Sequence, residues 1–257
     1  MTGTSEAAGP AGGPAVRLEG VTKTFGTRRV LDDVSFEVPA GSAFIILGRS
    51  GTGKSVTLRH IVRLVAPDQG QVFVGADEIS ALSGAELSRV RRGIGFLFQS
   101  AALFDSISVG ENVAFPLRRH TRMSDGEIRQ RAADKLAAVG LESEYDKMPA
   151  ELSGGMRKRA GLARAMALDP SILLADEPSA GLDPITGDEI DDLLLGLKRR
   201  GGTTLIVVTH DISSAKRLGD TLLMLHDGRV VASGTVADFE RSQDPLVQAF
   251  MSSQHSG

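Results

Sequence analysis

An α/β fold with a mixed sheet and a helical block set into it is what this sequence predicts, on three observations. The run Gly48-Arg49-Ser50-Gly51-Thr52-Gly53-Lys54-Ser55 fits the pattern G-x-x-x-x-G-K-[ST] and stands between a short apolar segment and a helix-periodic stretch. Strand-like apolar runs alternate with helix-periodic stretches along most of the chain. Residues 100–167, by contrast, switch almost wholly to helical periodicity.

Taken in order, residues 1–15 are Gly, Ala, Pro, Ser and Thr with almost no large apolar side chain, and are expected to form a disordered tail. Residues 16–21 and 30–38 read as strands, the second alternating through Val34, Phe36 and Val38, with a turn at Phe25-Gly26-Thr27 between them. Pro39-Ala40-Gly41 turns the chain into the strand 43–47. A helix is predicted from Ser55 to Val65, with Leu58, Ile61, Val62 and Val65 on one face. Pro67-Asp68-Gln69-Gly70 breaks it, and residues 71–74 form a short strand. Ser83-Gly84-Ala85-Glu86 reads as a capping box for a helix to about Arg91, and Phe96-Leu97-Phe98 as a buried strand ending at Gln99.

Within the helical block, Ser124 to Glu127 is a second capping box, ahead of Ile128, Ala132, Leu136 and Val139, with Gly140 as its C′ residue. Strands are expected at 171–175 and 204–208, separated by a helix at 187–200. His226-Asp227-Gly228 signals a hairpin between 221–225 and 229–232, which would give the sheet an antiparallel edge. A short helix near 236–241 and a polar tail over 243–257 close the chain. No internal repeat is present, which excludes a tandem arrangement of two such domains.

Composition removes several function classes. The 257 residues are 41% apolar and 24% charged, ordinary for a globular protein. A net charge of -3 supplies no bulk field for nucleic acid or an anionic membrane surface. With no cysteine there is neither disulfide nor thiolate metal site, which fits the cytosol. No apolar run approaches the roughly 18–20 residues that span a bilayer, and no secretory signal is legible, so work at a membrane is expected to go through a partner.

The chemistry concentrates in three places. Glycines in the 48–53 loop let backbone N–H groups turn inward, and the following helix adds about half a positive charge at its start. The segment Gly48, Arg49, Ser50, Gly51, Thr52, Gly53, Lys54, Ser55 and Val56 is therefore the phosphate-binding candidate. Lys54 can reach the β- and γ-phosphates and Ser55 can ligate Mg²⁺. The apolar run 172–175 ends in Asp176-Glu177, placing one carboxylate for Mg²⁺ and the next for a proton from attacking water. Ser153-Gly154-Gly155 before a helix is, alone, only a cap. Followed by Met156 and the basic stretch 157–164, about twenty residues ahead of Asp176, it acquires a second meaning.

That order resembles the ATP-binding cassette (ABC) ATPases, and the resemblance covers roughly residues 16–241. It implies a phosphate-loop NTPase core with an N-terminal antiparallel β part and a helical signature subdomain at about 100–167, within an ATPase domain at 16–242. It further implies that Gln99 serves the Mg²⁺ shell, Glu177 is the general base, His210 senses the γ-phosphate, and Asp183, which ends the D-loop Ser179-Ala180-Gly181-Leu182-Asp183, takes part in binding the nucleotide. Phe25 would stack on adenine where most members carry Tyr. ATP and Mg²⁺ are the implied cofactors, with each ATP held between one copy's phosphate loop and the other's Ser153, Gly154 and Gly155.

Met156 in place of the usual Gln, the stretch from Gln99 to Leu117, and Met148-Pro149-Ala150-Glu151 are most similar to the ATPases of bacterial Mla-type lipid transporters. The implied partners are a second copy of the chain, two copies of a membrane permease and an MCE-domain lipid-binding protein. The implied place is the cytoplasmic face of the inner membrane, as a peripheral subunit. Leu103, Phe104 and Phe115 are candidates for the permease contact, each equally well explained as core of the helical block. A different cargo, such as an amino acid or anion, and a non-transport switch of the cell-division type are the alternatives.

Overall fold

In a computed structural model, which describes residues 13–253, the first two strands make a long hairpin: β1 (Val16–Phe25) and β2 (Arg28–Val38) pair antiparallel. The tail expected over residues 1–15 lies outside the described residues except at its end. There Ala15 already belongs to the sheet, its N–H donating to Val38 O at 2.8 Å. Both strands exceed their expected lengths because register shifts let the hairpin twist on past Val21.

β3 (Ala43–Leu47) is wholly buried and leads into α1 (Lys54–Ile61). That helix ends four residues before the expected Val65. Arg63 adopts φ 50, and the Arg91 guanidinium donates to Val62 O at 2.9 Å and Arg63 O at 3.0 Å, closing the helix end. β4 (Gln69–Val74) and the two-residue β5 (Asp77–Glu78) complete a four-stranded sheet in the order β2-β1-β4-β5.

α2 (Gly84–Arg92) starts as expected, but its capping box does not form and the Ser83 side chain makes no cap bond. Gly84 sits at φ +55, turning the chain so that Ser83 Oγ misses the first-turn N–H groups. β6 (Ile94–Leu97) follows. The helical block then supplies α3 (Val109–His120), α4 (Asp125–Ala137), a 3₁₀ turn (Pro149–Glu151) and α5 (Gly154–Ala165). Here the Ser124–Glu127 capping box is present in full. α3 packs closely because Gly110 lies under the Tyr145 ring, where a Cβ would come within 2.3 Å.

β7 (Ile172–Asp176), α6 (Pro184–Gly201), β8 (Thr204–Thr209), α7 (Ile212–Leu218), β9 (Thr221–His226) and β10 (Arg229–Gly234) finish the main sheet. Its order is β10-β9-β3-β8-β7-β6, parallel throughout except for the β9–β10 hairpin at the edge. Alternate residues of β3 enter different cores. Phe44 and Ile46 pack toward the antiparallel sheet, whereas Ala43, Ile45 and Leu47 pack toward the helices. Burial on both faces is why this strand reads as a continuous apolar run.

α8 (Val236–Glu240) is followed by a helix where a polar tail was expected: α9 (Pro245–Ser252), capped by Asp244, with Val247 and Phe250 buried in the main core. Asp-Pro as N-cap and N1, with apolar residues at i and i+3, is the signal that could have found it.

Candidate functional site

β3 lies between β8 and β9, so the loop after Leu47 emerges at the carboxyl edge of the parallel sheet, where such sheets present ligand sites. The loop is tightly wound. A Cβ at Gly48 would stand 2.5 Å from Leu225 O, and one at Gly53 would stand 2.8 Å from Val30 O. No side chain caps α1 and no acidic residue occupies its first turn, which leaves its N–H groups and dipole to an anion. Lys54 is 5% exposed and donates to Gly48 O at 2.8 Å and Arg49 O at 3.1 Å. Thr52 Oγ1 also donates to Arg49 O, at 2.9 Å.

Beside this loop is a pocket of about 220 Å³ lined by Arg28, Val30, Gly51, Gly53, Lys54, Ser55 and Val56. Arg28 was not anticipated from sequence. It follows the β1–β2 turn, and its guanidinium donates to Gly51 O at 2.9 Å, tying the hairpin to the phosphate loop. Phe25, across the same turn, is 48% exposed, with the Lys23 ammonium 5.4 Å from its ring centroid.

β7 brings the carboxylates to the loop. Ser55 Oγ donates to Asp176 Oδ1 at 2.7 Å across 121 residues of sequence. Burial pushes the Asp176 carboxyl above its ordinary range, while the Ser55 hydroxyl and the charge of Arg59 pull it back. Glu177 follows at φ 48, with Oε1 3.3 Å from Lys54 Nζ and Oε2 2.9 Å from His210 Nδ1.

No group of three His, Cys, Asp or Glu able to hold a metal exists among the described residues. That suits Mg²⁺, which keeps several waters and binds through one or two protein oxygens plus substrate phosphates. The Ser55 hydroxyl and the Asp176 carboxylate are the oxygens that could serve such an ion here. Gln99 is exposed, two residues beyond β6, whose Leu97 pairs with Ala175 of β7.

Ser153 Oγ accepts the Met156 N–H at 3.2 Å and so caps α5. Gly154 faces Leu182, and Gly155 packs so closely on Thr186 that a Cβ would meet its methyl at 2.4 Å. These residues therefore pack on the start of α6 in their own chain, with Ser153 and Gly154 exposed beyond it. Asp183 caps α6, accepting the Thr186 N–H at 3.0 Å and its hydroxyl at 2.6 Å, and these bonds hold its carboxyl below the ordinary range. Lys158, also unanticipated, is 5% exposed beneath the carboxylates and donates to Glu177 O at 2.9 Å. Burial pushes its ammonium downward, and the charges of Asp176 and Glu177 push it upward.

On the helical block a groove of about 610 Å³ runs past Arg91, Phe96, Phe104, Phe115, Arg119 and Arg164. Phe104 and Phe115 are 45% and 48% exposed, with ring centroids 5.0 Å apart. Buried Asn112 fixes the first of them, accepting the Phe104 N–H at 2.7 Å and donating to Phe104 O at 3.0 Å. Leu103, the third candidate, packs against the main core instead.

Comparison with known proteins agrees with this geometry. The family model described as ABC transporter matches residues 31–180. The chain is 40% identical over 242 residues to the intermembrane phospholipid transport system ATP-binding protein MlaF of Haemophilus influenzae, covering 94% of this chain and 92% of that one. It is also 40% identical over 245 residues to the probable ribonucleotide transport ATP-binding protein mkl of Mycobacterium leprae, covering 95% and 71%. Among solved structures it is similar to a dimeric post-hydrolysis state of the ATP-binding cassette MJ0796 bound to ADP and Pi. That match has a TM-score of 0.81 and 38% identity, and covers 86% of this chain and 98% of that one. Phosphate loop, carboxylate strand and family match lead to one conclusion: the chain belongs to the ABC transporter family and is one of its ATPases.

Proposed function

We propose that this chain is the ATP-hydrolysing subunit of a transporter that moves phospholipid between envelope membranes. It would act as a pair of identical chains beneath two copies of a membrane permease, at the cytoplasmic face, with an MCE-domain lipid-binding protein in the assembly. The observation that carries the cargo is the match along nearly the whole length of MlaF, a protein named for phospholipid transport. A dimeric relative with bound ADP and Pi supports the pairing. A different cargo is the second reading, favoured by equal identity to a relative named for ribonucleotide transport.

The residues divide the work as follows. The loop amides from Gly48 to Val56 and Lys54 would bind the phosphates, and the exposed Phe25 face would receive the adenine. Ser55 and Asp176, with Gln99 swinging in from the end of β6, would hold Mg²⁺, which when bound neutralises charge on the phosphate oxygens. Glu177 takes a proton from the attacking water as general base. His210 orients that carboxylate through Nδ1 and senses the γ-phosphate. Ser153, Gly154, Gly155 and Asp183 face the second copy, which completes each site. Phe104 and Phe115 offer the groove's apolar contact to the permease, and that contact would link membrane and nucleotide states.

A mild-detergent pull-down of the tagged chain from its native cells tests the reading, with mass spectrometry of partners and lipid extraction from the same sample. The expected result is a permease, an MCE-domain protein and co-purifying phospholipid. A permease that arrives with a soluble binding protein and no lipid would overturn the cargo while leaving the hydrolase intact.

A further inference from the structure

Glu177 is held at every polar atom, and the holds come from several parts of the molecule. Its N–H donates to Val208 O of β8 at 2.9 Å. Its carboxylate meets Lys54 of the phosphate loop and His210 after β8. Its carbonyl oxygen accepts two donors, the Ala180 N–H at 3.2 Å and Lys158 Nζ at 2.9 Å. Of these partners Lys158 alone belongs to the helical block, on the helix that begins with Gly154 and Gly155.

We propose that Lys158 is a positioning residue for hydrolysis: its buried ammonium pins the carbonyl of Glu177 and so fixes a left-handed backbone on which the carboxylate is aimed. The proposal rests on the reading of Glu177 as general base. A non-glycine residue at φ 48 is held against its conformational preference. Without Lys158 the Ala180 N–H, at 3.2 Å, is the remaining donor to that carbonyl among the described residues.

Misplacement of a reacting group by roughly 1 Å can cost on the order of a hundredfold in rate, so a modest relaxation here is enough to matter. α5 repeats the device further along. Arg164 donates to Ala101 O at 2.9 Å and Ala102 O at 2.7 Å, two residues with φ 61 and 50 in the loop after Gln99. One helix thus grips left-handed backbone both at the catalytic strand end and at the edge of the groove.

The test compares Lys158→Met and Lys158→Arg in the full chain with MgATP. It measures kcat and KM, equilibrium binding of a fluorescent ATP analogue, and melting temperature. Lys158→Met is expected to lower kcat about tenfold or more while KM and nucleotide affinity stay within about twofold. Lys158→Arg, which keeps a charged donor, should recover most of the lost turnover.

Turnover of Lys158→Met within about twofold of the unmodified chain overturns the proposal. So does an Arg variant as slow as the Met variant with melting temperature and nucleotide affinity intact. If the Met variant does not fold, Lys158→Gln is held to the same criteria. Glu177→Gln is measured in parallel. Near-normal turnover there would sink the general-base reading itself, whereas an inactive Glu177→Gln beside an unimpaired Lys158→Met sinks only the role of Lys158.

Discussion

The nucleotide face and the groove on the helical block are built by opposite means. At the first, Lys54, Asp176 and Glu177 are 5%, 4% and 9% exposed, and they are engaged with one another, with the Ser55 and His210 side chains, or with backbone. At the second, Phe104 and Phe115 stand nearly half exposed, held from behind by buried Asn112 and rimmed by arginines. Buried, mutually paired charges of this kind hold their geometry without a membrane partner. An open apolar patch with a cationic rim gains its energy only when a complementary surface covers it. On the function proposed above, chemistry and partner choice are separated in space, joined through β6 and α5.

The sharpest attempt to break this division is Glu177→Gln. Turnover should fall by roughly 10²–10⁴-fold while ATP binding and permease capture survive. A variant that lost the permease together with turnover would show the two faces to be one unit.

Phe250→Ala comes next, at a position outside both faces. Truncating this ring, 6% exposed in the main core, should cost about 3–5 kcal/mol, read as a lower denaturant midpoint. Nucleotide affinity of the folded fraction should not change, and a loss of affinity would make α9 part of the site.

Phe104→Asp tests the groove from the other side. It should weaken co-purification with the permease about tenfold or more and leave ATP binding intact. Unchanged assembly would remove Phe104 from the interface.

The smallest effect lies beneath both faces, between α6 and α7. Asp191 is buried there and accepts the Ser214 hydroxyl at 3.0 Å, and burial pushes its carboxyl from 3.8 up to about 6. A folded-state value above the unfolded one means its contribution is full below about pH 4 and is lost as pH rises through about 6. Asp191→Asn should flatten the stability profile across that window and raise stability at pH 7.5 by roughly 1 kcal/mol. A melting-temperature series from pH 4.5 to 7.5, on both proteins, checks the sign.

The nucleotide face was readable in the sequence because backbone geometry demands particular residues there. Gly48 and Gly53 leave no room for a Cβ, and the two carboxylates must end a buried strand. The cations that hold the backbone were not readable. Lys158 and Arg28 act on carbonyl oxygens brought near by the fold, and nothing in local periodicity marks such a partner.

The groove was half readable. Aromatic residues at 104 and 115 were identified, but only packing distinguishes their exposure from the partial burial of Leu103 against the core. The end of α1 and the cap of α2 failed where a left-handed residue intervened, at Arg63 and at Gly84. α9 was missed because its short apolar run is set between polar segments that give the whole end of the chain a polar cast.

The order of the main sheet has a consequence for how the protein comes into being. β3, made early, has β8 and β9 as its neighbours, so its two edges are finished by segments near the other end of the chain. Gly41 waits for Thr204, 163 residues later, and Ala43 for Asp220, 177 residues later. At about 5–20 residues per second, the ribosome leaves that apolar strand unpaired for roughly ten to thirty-five seconds. During this interval the nascent chain carries a complete phosphate-loop motif and no phosphate site. It also carries two open strand edges that invite pairing with a neighbour or shelter by a chaperone. A polypeptide cut anywhere between α1 and β9 would keep the eight residues of the phosphate-loop motif and lack one or both of the strands that flank β3.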